Sequence, residues 1–221
     1  ALASFCRSIK SDFWLMGEVV HGDYSEWARN GRLDSVTNYQ MYKSLWSCLN
    51  DQNMYELSYN LDREYNAESG MYKDIALYNF VDNHDVNRAV SALTSPERHL
   101  HLLYGLLFTI PGIPSVYYGS EYGIGGMRKV DGDYELRPPL PPFAQLPDFT
   151  QPGFDAGFIR TSIETFSKIR RSRPALQRGE DVVVELQHVA FANVEVEDGV
   201  GFAVQGACED EGIRAFAAAQ S

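Results

Sequence analysis

The sequence predicts an α/β fold in which parallel strands lie under packed helices. Three observations carry this reading. Four apolar runs are each followed by a longer stretch rich in helix formers, the alternation expected of parallel strands joined by helical crossovers. The runs are almost continuously apolar rather than alternating, the pattern of strands covered on both faces. Polar and titratable residues then collect at the C-terminal ends of the runs, where sites lie in such sheets and barrels.

Taken in order, the opening ALASFCRSIKSDF reads as the middle of a helix, and the expectation is that the N-terminus was cut. The strands follow at Phe13–Val20, Leu33–Thr37, Ile75–Val81 and Ile113–Tyr118. Residues 38–50 and 52–66 combine helix formers with an apolar face. Ser95-Pro96-Glu97 supplies an N-cap and a first-position proline for a helix over 96–110, where Leu100, Leu103, Leu106, Leu107 and Ile110 recur at helical spacing. Residues 111–152 hold eight of the ten prolines and so read as a long ordered loop, a kind that is usually functional in compact domains. Phe158–Arg171 restores the helical pattern with Ile159, Ile163, Phe166 and Ile169. After Arg173-Pro174 the texture changes. Asp181–Leu186, His188–Val196 and Gly199–Gln205 are short and β-rich, with a turn at Glu197-Asp198-Gly199, and predict a small antiparallel piece. The division is therefore 1–174 and 175–221, with a second truncation expected at the C-terminus.

Composition narrows the function classes. The chain of 221 residues is 44% hydrophobic and 22% charged, as in ordinary folded proteins. Its 19 basic and 30 acidic residues leave a net charge of −11. That charge disfavours nucleic acid and anionic membrane surfaces as partners. The longest mostly apolar run, Leu102 to Ile110, is too short to span a bilayer. Cys6, Cys48 and Cys208 are sparse, odd in number and free of any CxxC spacing, which argues against a disulfide framework or a zinc site. This leans towards a reducing compartment, with secretion left open.

The titratable residues form a constellation. The first strand leads to Glu18, His21 and Asp23, the third to Asp82, Asn83, His84 and Asp85, and the fourth to Tyr117, Tyr118 and Glu121. Glu18 lies inside the run Phe13 to Val20. Apolar surroundings would favour its neutral form and raise its pKa, as a general acid requires. A carboxylate capping the strand end explains the same residue equally well. The His84-Asp85 pair could bind a metal, stabilise a cation or hold a turn, and the turn is the simpler reading of the pair alone. His99 and His101, two apart on a helix, share no face and receive no role. Asp62, Arg63 and Glu64 read as a solvated helix face. Gly123, Gly125 and Gly126 follow a strand but lead into a proline-rich loop, so they are not a dinucleotide fingerprint.

Three ordered motifs resemble the α-amylase family of glycoside hydrolases. Gly17-Glu18-Val19-Val20-His21-Gly22 is similar to that family's fifth-strand motif. Phe80-Val81-Asp82-Asn83-His84-Asp85 is similar to its seventh-strand motif. Gly112-Ile113-Pro114-Ser115-Val116-Tyr117-Tyr118-Gly119-Ser120-Glu121 is similar to its eighth strand, G-x-P-x-x-Y-Y-G-x-E. The resemblance covers about residues 1–205. It implies the C-terminal half of a TIM-type (β/α)₈ barrel over 1–174, with 175–221 as the start of the family's C-terminal β-sandwich.

The resemblance also implies roles. Glu18 would be the general acid/base. Asp85 would fix sugar hydroxyls and stabilise the oxocarbenium-like transition state. His84 would hydrogen-bond the sugar where cleavage occurs, with His21 and Asn83 as further substrate contacts. Asp133 and Arg137 resemble a pair gripping a glucose further along the non-reducing side. Tyr118 and Glu121 read as rim structure. The family's fourth-strand G-x-R-x-D nucleophile motif has no counterpart in the chain. Without a nucleophile, double displacement cannot run, so the expectation is a fragment of a retaining α-1,4-glucan hydrolase that is inactive alone. Its partners would be an oligosaccharide or starch, and either itself or the missing half of the barrel, because open strand edges recruit other chains. No metal or other cofactor is expected in this chain, and calcium is expected only in a longer parent. Alternatives are a glucosyl transferase or isomerase of the same family, and a non-catalytic glycan-binding or assembly module.

Overall fold

The computed structural model describes residues 1–142, 145 and 153–178. The antiparallel piece expected after residue 180, and most of the second domain, lie outside the described residues. All four expected strands form, each within its predicted run: β1 (Met16–Gly17), β2 (Ser35–Val36), β3 (Tyr78–Phe80) and β4 (Ile113–Ser115). They are parallel and follow one another in chain order. Met16 stands opposite Ser35, and Tyr78 opposite Ile113. Between these two pairs a parallel bridge joins Thr37 to Tyr78, and the Asn38 amide donates to the Tyr78 carbonyl at 2.9 Å.

Three of the helices begin where a side chain satisfies one of their first amides. After α1 (Leu2–Ile9) and the short α2 (Ser25–Ala28), α3 (Tyr39–Asn50) is capped by Asn38, whose side chain accepts from the Met41 amide at 3.0 Å. Asn53 caps α4 (Met54–Tyr65) in the same way, accepting from the Tyr55 amide at 3.2 Å. A short α5 (Ala89–Ala92) precedes α6 (Pro96–Thr109), which begins at the predicted proline. Ser95 stands at the N-cap position, but its hydroxyl makes no capping bond. Beyond β4, a 3₁₀ turn (Ser120–Tyr122) interrupts the proline-rich loop, and α7 (Ala156–Ser172) and α8 (Pro174–Arg178) follow. α7 starts at Asp155, which accepts from the Phe158 amide at 3.1 Å.

One core joins these elements. It contains Val36 from β2, Leu45 from α3, Leu61 from α4, Leu103 and Leu107 from α6 and Phe166 from α7. The α6–α7 contact is specific. His101 of α6 lies 5.3 Å from the Phe158 ring and 5.0 Å from that of Phe166, and its Nδ1 is 3.0 Å from the Ser162 hydroxyl. Buried Arg170 of α7 donates to the carbonyls of Phe108 and Ile110, both at 2.9 Å, and so closes the C-terminus of α6. It also reaches the Gly112 carbonyl at 2.5 Å. Gly112 has φ +101°, and a Cβ there would stand 2.5 Å from the Leu77 carbonyl oxygen, so the close approach of β4 to β3 requires glycine.

The structure corrects the expectation that every strand is covered on both faces. Phe13, Trp14, Met16 and Val20 are exposed, as are Leu2, Phe5 and Ile9 of α1. Among the described residues β1 pairs with β2 alone, and α1 buries none of its residues. The apolar run of eight residues therefore yields a strand of only two. Glu64 is a second correction: it is fully buried rather than part of a solvated face. The last turn of α4 brings it against Asn38, whose Nδ2 donates to Glu64 Oε2 at 2.7 Å.

Candidate active site

Glu18 stands one residue past β1, and His84 and Asp85 stand in the turn beyond β3. The structure brings these three together: one donor atom from each lies within 4.8 Å of the others. The burial expected of Glu18 is absent. The strand ends at Gly17 and the carboxylate is exposed, so the desolvation argued from its apolar neighbours does not operate. Its Oε1 instead accepts a hydrogen bond from the Tyr39 hydroxyl at 2.8 Å.

Asp85 is held from several sides. Its amide donates to Asn83 Oδ1 at 2.8 Å, its Oδ1 accepts from Arg137 Nη2 at 2.6 Å, and its Oδ2 lies 3.4 Å from His84 Nε2. Arg137 also donates to the His84 carbonyl at 3.0 Å and to Asp133 Oδ2 at 3.3 Å. Asp133 and Arg137 are thus adjacent, and Arg137 ties the long loop to the Asp85 turn. Asn83 uses its amide internally, accepting from Asp85 and donating to the Tyr39 hydroxyl at 2.9 Å. His21 is exposed and stands outside the Glu18–His84–Asp85 group.

Two residues placed on the rim by sequence do other work. Asp23 accepts from the Ser25 amide at 2.8 Å, in the turn that starts α2. The Ser25 hydrogen bonds hold its carboxyl below the usual range. Asp82 is buried beneath the rim, where its Oδ2 accepts from the Ser120 hydroxyl at 2.5 Å and the Ala89 amide at 2.9 Å. Burial pushes its pKa up to about 6. Beside it, fully buried Arg88 donates to the Tyr118 carbonyl at 2.6 Å and the Leu136 carbonyl at 2.9 Å. Its guanidinium lies 4.2 Å from the Tyr117 ring centroid, a cation–π contact. Tyr118 donates to the Pro138 carbonyl at 3.0 Å, in keeping with a structural place on the rim.

Sequence reasoning missed Tyr39 and Arg88. Nothing local distinguishes these two, because their side-chain hydrogen-bond partners lie 21 to 48 positions away.

Among the described residues, Glu18, His84 and Asp85 form the one group with donors close enough to share a cation. The set suits calcium poorly, because calcium takes six to eight oxygen ligands. Here one donor is a ring nitrogen, and Arg137 already carries positive charge to Asp85.

Parallel strands in chain order, with carboxylates from two strand ends converging beyond them, define an α/β domain whose candidate site lies at the carboxyl ends of its strands. The family model for the alpha-amylase catalytic domain matches residues 1–177, and the chain belongs to that family. It is 30% identical over 123 residues to a maltogenic alpha-amylase of Bacillus acidopullulyticus, covering 54% of this chain and 20% of that protein. It is 30% identical over 106 residues to a 4-alpha-glucanotransferase of Thermotoga neapolitana, covering 45% of this chain and 24% of that one. An alpha-amylase structure from Anoxybacillus superposes with a TM-score of 0.59 at 27% identity, covering 79% of this chain and 36% of that one. The chain spans between a fifth and a quarter of the length of these two curated relatives.

Proposed function

We propose that the chain carries the general acid/base and the transition-state-stabilising carboxylate of a retaining hydrolase acting on α-1,4-linked glucose chains. The convergence of Glu18, Asp85 and His84 from two strand ends carries this reading. In it, Glu18 protonates the glycosidic oxygen as the C1–O bond breaks, and later deprotonates the incoming water. Asp85, fixed by Arg137, holds sugar hydroxyls and faces the developing positive charge at the anomeric carbon. His84, exposed beside it, donates to the same sugar. His21 is a further sugar contact, and Asp133 with Arg137 grips the next glucose.

Double displacement also needs a carboxylate nucleophile about 5–5.5 Å from the acid/base. No G-x-R-x-D motif supplies one here, so the nucleophile comes from outside these 221 residues and the chain alone does not turn over. The same reading makes 1–174 half of a barrel. The exposed side chains of Leu2, Phe5, Ile9, Phe13 and Trp14 are then the edge that the other half, or a second copy, covers. No resident metal is assigned to these residues.

The test is Glu18→Gln in the protein as its source makes it. Hydrolysis of maltooligosaccharides falls by roughly 10²–10⁴-fold while maltotriose binding persists. Turnover that survives the substitution would sink the assignment. The likeness to a 4-alpha-glucanotransferase favours a second reading, glucosyl transfer. Products longer than the substrate, formed in preference to hydrolysis, would establish it.

A further inference from the structure

The hydrogen bonds around Tyr39 fix a direction, and the direction starts from a backbone amide. The Asp85 N–H can only donate, so the Asn83 atom facing it at 2.8 Å is the carbonyl oxygen. The other end of that side chain is then the NH₂ group, which can only donate, and it meets the Tyr39 hydroxyl at 2.9 Å. The hydroxyl accepts there, and its single proton is directed to Glu18 Oε1 at 2.8 Å. Oε1 is therefore an acceptor in this arrangement, and a proton carried by Glu18 sits on Oε2.

The tyrosine is built to hold this position. It is the first residue of α3, directly after the Asn38 cap. Its ring stands edge-on to Phe80, with centroids 4.9 Å apart, and to Tyr42 at 6.2 Å. Desolvation, with the Glu18 hydrogen bond adding to it, pushes the phenol up to about 12, so it keeps its proton across the neutral range.

We propose that Tyr39 is a positioning residue for proton transfer: it occupies Glu18 Oε1, leaves Oε2 as the oxygen that serves the glycosidic bond, and ties that carboxylate through Asn83 to the Asp85 turn. The inference rests on Glu18 being the general acid/base.

The test compares two donors in the protein as its source makes it. Maltotriose needs its leaving oxygen protonated, whereas fluoride leaves α-maltosyl fluoride without a proton. For each, kcat/KM reports the steps up to the first bond cleavage. In Tyr39→Phe, kcat/KM for maltotriose falls by roughly 10²-fold and that for the fluoride by less than about threefold. Asn83→Asp keeps the bond to the Asp85 amide but offers Tyr39 an acceptor, which turns the proton away from Glu18. It shows the same discrimination between donors. Equal losses on both substrates would mean Tyr39 is merely structural and would overturn the proposal, as would an unchanged rate on maltotriose. If Glu18→Gln itself fails to discriminate between the donors, the acid/base assignment is wrong, and the Tyr39 role falls with it.

Discussion

The polar networks on the rim and beneath it are made of similar groups and differ in what surrounds them. On the rim, Glu18, Tyr39, Asn83, Asp85 and Arg137 form a connected chain in which both carboxylates and the guanidinium reach solvent. Beneath it, Asn38 donates to Glu64 and Asn79, Ser120 donates to Asp82, and Arg88 donates to the Tyr118 and Leu136 carbonyls of the long loop, all six side chains being buried. An exposed ion pair contributes little to stability, because water competes for both partners and their side chains lose freedom in pairing. Removing one member of a buried, hydrogen-bonded charged group is costly, because the partners left behind are desolvated and unpaired. The rim network can therefore be tuned for chemistry at small cost in stability, and the buried networks hold the elements that aim it.

The largest expected effect is that of Arg88→Met. It strands the Tyr118 and Leu136 carbonyls and leaves Asp82 without its neighbouring cation. Urea denaturation is expected to show a loss of roughly 3–5 kcal/mol. A loss below about 1 kcal/mol would erase the distinction between the two networks.

Glu64→Gln sharpens the comparison through pH. Desolvation raises the Glu64 carboxyl from its ordinary 4.5 to about 7. Because the folded pKa is the higher, the folded chain keeps a proton that the unfolded chain releases. The stability this contributes is full below pH 4.5 and lost as pH rises to about 7. The loss is about 3 kcal/mol for one fully buried group. In the glutamine variant that part of the slope disappears from melts recorded across this window. An unchanged slope would mean that Glu64 does not titrate as its burial requires.

The smallest effect is expected at the rim. Arg137→Ala removes an ion pair whose two side chains are both more than a third exposed. The unfolding midpoint is expected to correspond to a change of no more than about 1 kcal/mol. A larger loss would place Arg137 among the frame residues.

Much of the fold was legible because it is written in local patterns. The apolar runs located all four strands. The Pro96 start, the leucine spacing of α6 and the periodicity of Phe158–Arg171 located the main helices to within a few residues. The three ordered motifs placed Glu18, His84 and Asp85 in one site, and the structure gathers those three residues. Errors arose where the environment decides. Glu18 looked buried from its neighbours in sequence, Glu64 looked solvated from its own, and Asp82 looked like part of the rim.

The sequence by itself determined where strands and helices form, because capping, helical spacing and apolar runs act between residues only a few positions apart. Tertiary structure alone decided which carboxylates meet water and which do not. It also decided that Tyr39, carried on the element after β2, closes the gap between Glu18 and the Asp85 turn. Desolvation and hydrogen bonding depend on whatever the fold brings within a few ångströms, and here those partners lie tens of residues away in the chain.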